Sequence, residues 1–295
     1  MAMENKATTD HYDLLGYRLA LSISDAAVRA AAAQMLRGFR VNADSDVEPA
    51  ARYAVTDAPQ SLWSLPAGAW HISVNDIPTE WYRTTEEILI ALERLIVINA
   101  LIFRSDLFHL HGAALASPSG DQGVLLIGES GSGKTTLALA LMLRGFLAYS
   151  DDVAVMAPTT LALEPFPRTF QVNASTRALV EQLGAPPMWD FDSTPSYFFP
   201  PHGAVAQTPT RIVLFLDRQP NTVPHLVSLP PAEAARMLLM NALTIHYARS
   251  IALATAVQVI GQARCYQLQI GDLRATVEMI TALVAGARDD DMNRQ

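Results

Sequence analysis

The chain has 295 residues, of which 50% are hydrophobic and 17% are charged, and this composition excludes a largely disordered protein. Its formal net charge of −8, without a basic cluster, argues against a nucleic-acid-binding protein. The single cysteine, Cys265, excludes an intrachain disulfide and a cysteine-rich zinc site, and it is typical of a small apolar residue within a strand. Neither a signal-peptide core nor an apolar run of membrane-spanning length is present, so we expect a cytoplasmic protein without a membrane partner.

The first third of the chain, residues 1–104, predicts a smaller N-terminal α+β region. Residues 14–24 alternate like a strand, and a helix is expected over 26–38, capped by Ser24 or Asp25. Short strands separated by Asp, Pro and Gly follow, and then a helix over 85–104 with a polar N-terminus. The region contains no catalytic motif, and roles in substrate binding or in assembly both remain open for it.

A hairpin is predicted next. Residues 108–116 have the pattern of a strand, 117–123 that of a turn, and 124–127 form a short apolar run of strand length. Pairing of these strands would bring His111 near the segment that follows the hairpin. Taken alone, His109 and His111 are more typical of ordinary strand histidines than of a site.

A phosphate-binding loop follows the hairpin. The residues GESGSGKT, from Gly128 to Thr135, fit the pattern G-x-x-x-x-G-K-[ST] at every fixed position. Glycines allow successive backbone N–H groups to point at phosphate oxygens, and the helix expected over 134–144 presents its positive end there. Lys134, one of only two lysines in the chain, supplies a compact charge for the β- and γ-phosphates, and the Thr135 hydroxyl suits Mg²⁺. We therefore predict ATP and Mg²⁺ as cofactors, with ATP contacts from Gly128, Glu129, Ser130, Gly131, Ser132, Gly133, Lys134, Thr135 and Thr136.

Two adjacent carboxylates come soon after this loop. Gly145 should end the helix, residues 146–150 should form a strand, and Asp151 and Asp152 stand at the end of that strand. In a right-handed βαβ unit the second strand lies parallel to the first, so both carboxylates should lie beside the phosphate loop. One can hold Mg²⁺, and the other can take a proton from an attacking hydroxyl.

The rest of the chain offers one further candidate residue and a long loop. Arg168, in a proline-bounded loop, either faces the phosphates and stabilises transferred charge or is an ordinary surface arginine. Residues 184–210, rich in proline and aromatic side chains, predict a long loop, and covering the acceptor is one role open to it. Residues 289–295 predict a disordered tail. The remaining predicted elements are strands at 211–216, 226–229 and 265–270 and helices at 176–183, 230–241, 244–260 and 272–286.

Residues 108–175 resemble the C-terminal kinase domain of HPr kinase/phosphorylase, and more closely the HPr-kinase-related proteins that occur as stand-alone kinases. The family pattern is a His-Gly strand, a phosphate loop, a helix that ends in Arg-Gly, and an Asp-Asp pair. The same order and close spacing occur in this chain at His111-Gly112, Gly128–Thr135, Arg144-Gly145 and Asp151-Asp152.

The resemblance implies an α/β fold with a mixed α+β sheet, that of the phosphoenolpyruvate carboxykinase-like P-loop kinases, over residues 105–288. It further implies that Asp151 is the general base toward a serine hydroxyl, that Asp152 binds the metal with Thr135, and that His111 lies in the active site. Because members of this family often assemble, a homo-oligomer is a further expectation.

Two departures from the family pattern concern the phosphorylase activity. Thr136 stands where the enzyme that also removes phosphate has an acidic residue, and residues 164–168 match its Glu-x-Arg-Gly signature only loosely. Both weigh against phosphorylase activity and recognition of the carrier protein HPr, and neither touches the ATP site.

The leading hypothesis is an ATP-dependent kinase that transfers the γ-phosphoryl group to a serine-type hydroxyl of a peptide or small protein. Asp151, Lys134, His111 and Arg168 are its expected catalytic residues. A kinase of the same fold that acts on a small-molecule alcohol, or a nucleotide-binding regulator without transfer activity, are the alternatives.

Overall fold

The structure, a computed structural model, describes residues 8–42, 47–57, 69–185, 197–198, 206–219 and 222–292, with the backbone alone for 197 and 287–292. The fold is mixed α/β with mixed sheets. The chain divides into two compact units, Met1–Arg104 and Ser105–Gln295. Within the described ranges, no helix is long and apolar enough to cross a membrane.

The first unit contains a six-stranded sheet with strand order β3-β1-β2-β4-β5-β6 and two helices. Its elements are β1 (Thr9–Leu14), β2 (Tyr17–Ile23), α1 (Ala26–Met35), β3 (Arg40–Val41), β4 (Ala51–Asp57), β5 (Trp70–Val74), β6 (Ile77–Tyr82) and α2 (Thr85–Phe103). The capping predictions are confirmed for both helices. Asp25 accepts hydrogen bonds from the first turn of α1, and Thr84 forms a reciprocal capping box with Glu87 at α2.

The strand predicted over residues 14–24 is confirmed over Tyr17–Ile23 as β2, but it begins later than predicted, because the chain reverses at Leu15 and Gly16. Leu15 and Gly16 have positive φ angles of 58° and 90°, and the hairpin that they form joins β1 to β2. Helix α1 is also shorter than predicted. It ends at Met35 and is followed by a 3₁₀ turn at Arg37–Phe39.

The second unit contains an eight-stranded sheet. Its elements are β7 (Phe108–Ala116), β8 (Gly123–Ile127), α3 (Lys134–Met142), β9 (Leu147–Ser150), β10 (Val153–Met156), β11 (Ala162–Glu164), β12 (Phe170–Gln171), α4 (Ala174–Gln182), β13 (Tyr197–Phe198), β14 (Thr208–Arg218), β15 (His225–Ser228), α5 (Pro231–Met240), α6 (Arg249–Gln262), β16 (Arg264–Ile270) and α7 (Leu273–Met292). β12 and β13 pair only with each other, and the other strands form the sheet.

The centre of this sheet contains the strand that leads into the phosphate loop. β7 and β8 form the predicted hairpin, with Gly112 opposite Ile127. β8 also pairs in parallel with β14, and β14 in parallel with β16. Successive side chains of β8 point to opposite faces of the sheet, and all are buried because helices cover both faces. Val124 and Leu126 pack in the cluster with α3 and α7, and Leu125 and Ile127 in that with α5 and α6.

The two strands of the predicted βαβ unit, β8 and β9, are parallel but not adjacent in the sheet. β9 pairs antiparallel with β7, which itself runs antiparallel to β8, so β9 runs in the direction of β8 with β7 between them. The predicted parallel direction is therefore confirmed, with one strand lying between the two. β10 also pairs with β7, and β11 pairs with both β10 and β14, so that β10, β7, β8, β14 and β11 form a closed circuit of neighbours.

Two helix predictions near the C-terminus need correction. The helix expected over 244–260 is a 3₁₀ turn, Leu243–His246, followed by α6, because Ala248 has a non-helical backbone (φ −144°, ψ 65°). The last helix extends to Met292, so residues 289–292 of the predicted disordered tail are helical, and 293–295 lie outside the described residues. Gly286 does not adopt the positive φ of a helix-ending glycine, so the helix continues through it. Most of the loop predicted over 184–210 also lies outside the described residues.

Candidate functional site

The loop between β8 and α3 depends on its glycines. Gly131 and Gly133 have φ angles of 80° and 96°, in the left-handed region that glycine enters without strain, and Gly133 is the N-cap of α3. A Cβ atom at Gly128 would lie 2.7 Å from Ser132 Oγ, so a larger residue there would displace the loop. The loop leads directly into the N-terminus of α3, where the first backbone N–H groups of a helix have no partner within the helix.

Lys134 is buried at the start of α3, and its ammonium group has three acceptors. Nζ donates to the carbonyl oxygens of Gly128 (2.7 Å) and Glu129 (3.0 Å) and lies 3.1 Å from His111 Nε2. Burial lowers the pKa of Lys134, and the charges of Asp152 and Asp151 oppose that shift. Because an ammonium group only donates, Nε2 of His111 is the acceptor in this contact, which leaves Nδ1 for the second carboxylate.

His111 connects Lys134 to the second carboxylate. Its Nδ1 lies 3.2 Å from Asp152 Oδ1, and Arg168 donates to the other oxygen of Asp152 at 3.0 Å. The hydrogen bond from His111 and the adjacent Arg168 hold the pKa of Asp152 well below its usual range, against the opposing effect of burial. Arg168 is itself mostly buried, with 11% of its side chain exposed, so it is not an ordinary surface arginine. Lys134, His111, Asp152 and Arg168 thus form one continuous row of polar contacts.

The first carboxylate pairs with the threonine of the loop. Thr135 Oγ1 donates to Asp151 Oδ2 at 3.1 Å, and Asp151 is buried. The hydroxyl expected to bind Mg²⁺ is therefore hydrogen-bonded to Asp151, whereas the family resemblance paired it with Asp152 at the metal. A hydroxyl that donates its proton retains lone pairs for a cation, so this contact is compatible with a metal at Thr135.

The remaining residues predicted to contact ATP divide into two groups. Glu129, Ser130 and Gly131 are exposed at the tip of the loop. Thr136 faces another way, because its hydroxyl lies 2.8 Å from that of Thr176 and links α3 to α4. Its side chain therefore contributes to helix packing, and a nucleotide could meet only its backbone N–H.

The chemistry of this site fits a nucleotide phosphate with Mg²⁺. Ser132 Oγ is buried and has no hydrogen-bond partner among the described residues, so one donor faces the loop unused. No group of three or more His, Cys, Asp or Glu side chains that could hold a metal occurs in the described part of the chain. Mg²⁺ does not need such a cage, because it is usually bound by one or two carboxylates together with phosphate oxygens and water.

The partners of the backbone of His109 and His111 have almost no signal in the sequence. Backbone N–H of His111 donates to the carbonyl of Asn241 (2.8 Å), and that of His109 to Thr244 Oγ1 (2.7 Å). These partners follow α5 and belong to no motif. The only hint in the sequence is that β7 is predicted to be longer than its partner β8, which leaves part of one edge without a strand.

No protein-family model matches the chain, and no curated protein matches it.

Proposed function

We propose that the chain is an ATP-dependent kinase of the HPr-kinase type, with the fold of the phosphoenolpyruvate carboxykinase-like P-loop kinases. Its acceptor is a serine-type hydroxyl on a peptide or small protein. One observation carries the proposal, namely that two residues of a complete phosphate loop contact the carboxylate pair. Lys134 contacts His111, which in turn contacts Asp152, and Thr135 contacts Asp151 directly. A loop that only bound nucleotide would not need two carboxylates at the same edge of the sheet.

In this proposal the phosphates lie on the loop, within reach of its N–H groups, Lys134 and the Ser132 hydroxyl. Thr135 and Asp152 would hold Mg²⁺, which when bound neutralises charge on the phosphate oxygens. Because phosphoryl transfer requires little covalent chemistry from the protein, positioning and charge account for most of the rate. Arg168 acts through Asp152, whose carboxylate it holds in place.

The two carboxylates differ in their contacts, and this difference supports separate roles for them. His111 and Arg168 hold the pKa of Asp152 well below its usual range, so this carboxylate takes up a proton poorly and remains anionic. It therefore suits a metal or a fixed negative charge. We assign the general base to Asp151, in agreement with the resemblance, and its task is to accept the proton of the attacking hydroxyl.

The test uses purified protein, Mg²⁺, ATP labelled on the γ-phosphate, and three acceptor pools: synthetic serine-containing peptides, the same peptides with alanine in place of serine, and small alcohols. We expect label on the serine peptides alone. Asp151→Asn should reduce transfer by about 100-fold, the scale of general-base catalysis, and change ATP affinity by less than about twofold.

Each alternative gives a different result. Label on the small alcohols alone would assign the chain to the small-molecule kinases. Tight ATP binding without transfer or hydrolysis, with wild type and Asp151→Asn alike, would overturn the proposal and leave a nucleotide-binding regulator.

A further inference from the structure

The two strands of the central hairpin differ in length, and this leaves an unpaired edge at the site. β8 pairs only with the second half of β7, from Gly112 to Ala116, because it turns into the phosphate loop after Ile127. The first half of β7 pairs with β10 on its other side, where His111 lies opposite Val153. On the β8 side, the backbone N–H groups of this half need other partners, because buried N–H groups without partners are costly.

The segment Asn241–Tyr247, which we call the brace, supplies these partners. The carbonyl of Asn241 accepts from the N–H of His111, Ala242 forms an isolated β-bridge with Leu110, and Thr244 Oγ1 accepts from the N–H of His109. Thr244 is fully buried, so its hydroxyl is inaccessible to water. The brace therefore continues the sheet where β8 has ended.

A side-chain contact fixes the other end of the brace. The Tyr247 hydroxyl hydrogen-bonds Nδ1 of His109, and the two rings lie 6.0 Å apart. His109 and His111 lie two positions apart on one strand and so point to the same face. The brace thus holds the backbone of both histidines from the side opposite β10.

We propose that Thr244 and Tyr247 are positioning residues for the candidate active site, acting through the backbone of β7 on His111. The side chain of His111 meets Lys134 at one nitrogen and Asp152 at the other, so a shift of its backbone moves both contacts. An error of about 1 Å in the placement of a catalytic group can cost as much as 100-fold in rate. The activity readout of this inference depends on the proposed kinase function, and its structural readout does not.

The experiment compares Thr244→Val with Thr210→Val in the full chain. Thr210 matches Thr244 closely: it is buried, its hydroxyl donates to a backbone oxygen (Leu161, 2.9 Å), and it lies in the same unit. It pairs with Gly123 at the start of β8, however, and thus lies at the other end of that strand from the phosphate loop. Two further variants complete the set. Thr244→Ser keeps the hydroxyl that accepts from the N–H of His109, and Tyr247→Phe removes the hydroxyl that hydrogen-bonds His109 Nδ1.

We expect Thr244→Val to lower kcat for phosphoryl transfer at least tenfold, with KM for ATP changed by less than about twofold. Tyr247→Phe should lower kcat by a smaller factor, Thr244→Ser should recover most of the rate, and Thr210→Val should retain it. An unchanged kcat in Thr244→Val, or an equal loss in Thr210→Val, would overturn the inference.

A spectroscopic measurement separates this inference from the kinase proposal. The ring ¹⁵N signals of His111 can be assigned in ¹⁵N-histidine protein by their loss in His111→Gln, since the chain has only seven histidines. These signals should shift in Thr244→Val and stay in place in Thr210→Val. A wild type without transfer activity but with this pattern would reject the kinase and keep the positioning role. Unmoved signals in a folded Thr244→Val would reject the positioning role.

Discussion

Replacing His111 by alanine should strengthen ATP binding while it slows transfer. The Lys134 ammonium has three N–H bonds, and all three are used within the protein, on Gly128 O, Glu129 O and His111 Nε2. To meet a phosphate, Lys134 must give up at least one of these acceptors. A hydrogen bond of this kind contributes about 1 kcal/mol net, so its absence before binding should lower the Kd of ATP about fivefold. Transfer should slow, because Asp152 then lacks one of its two fixed partners.

Calorimetric titration with a non-hydrolysable ATP analogue and Mg²⁺ measures the affinity, and the γ-label assay measures the rate. His111→Gln is the matched control, since its amide can accept from Lys134 and donate to Asp152, and its Kd should stay within about twofold of wild type. An unchanged or weaker affinity in His111→Ala would refute the view that the lysine is held away from the phosphate.

Three other predictions concern charge and packing. The contacts of Asp152 hold its pKa below the usual 3.8, so the stability that the Asp152 carboxylate contributes is complete above pH 3.8 and declines as the pH falls below it. Urea unfolding should therefore find Asp152→Asn less stable than wild type at pH 7 and closer to wild type at pH 3. Protein labelled with [ε-¹³C]lysine should show one signal each for Lys6 and Lys134, and the signal lost in Lys134→Arg should titrate below 10.5, since burial disfavours the ammonium. Gly271→Ala should lower the free energy of unfolding in urea by about 3 kcal/mol, because its Cβ would lie 1.9 Å from a backbone oxygen. Gly261→Ala, on α6 with nothing near its Cβ, should raise the free energy of unfolding by about 0.5–1 kcal/mol.

The sequence predicted the phosphate-loop region well because its signals are local. The hairpin of β7 and β8 follows from strand patterns around a turn, and the glycines of the loop and Gly145 mark positive φ angles that the structure contains. Asp151 and Asp152 were expected near the loop, and they lie there because β9 runs in the direction of β8.

Predictions that depend on distant parts of the chain were less accurate. A short strand that follows a helix can pair with the strand before that helix or with another strand of the sheet. The sequence therefore did not reveal that β9 pairs with β7. The brace carries no motif, because Asn241 acts through its backbone carbonyl, which every residue type possesses. Arg168 remained ambiguous for a similar reason: its partner is set by tertiary packing, and only the structure pairs it with Asp152.

The position of β8 between a near and a distant partner has a consequence for how the chain folds. β7, on one side, is its neighbour in sequence and can close a hairpin rapidly, whereas β14, on the other, lies far along the chain, so that its pairing with β8 must close a long loop. The phosphate loop begins where β8 ends, and a Cβ at Gly128 would touch Leu216 of β14, so its final shape requires both pairings. Nucleotide affinity should therefore appear late in refolding, after the hairpin, and the rate at which it appears should report the slow long-range step.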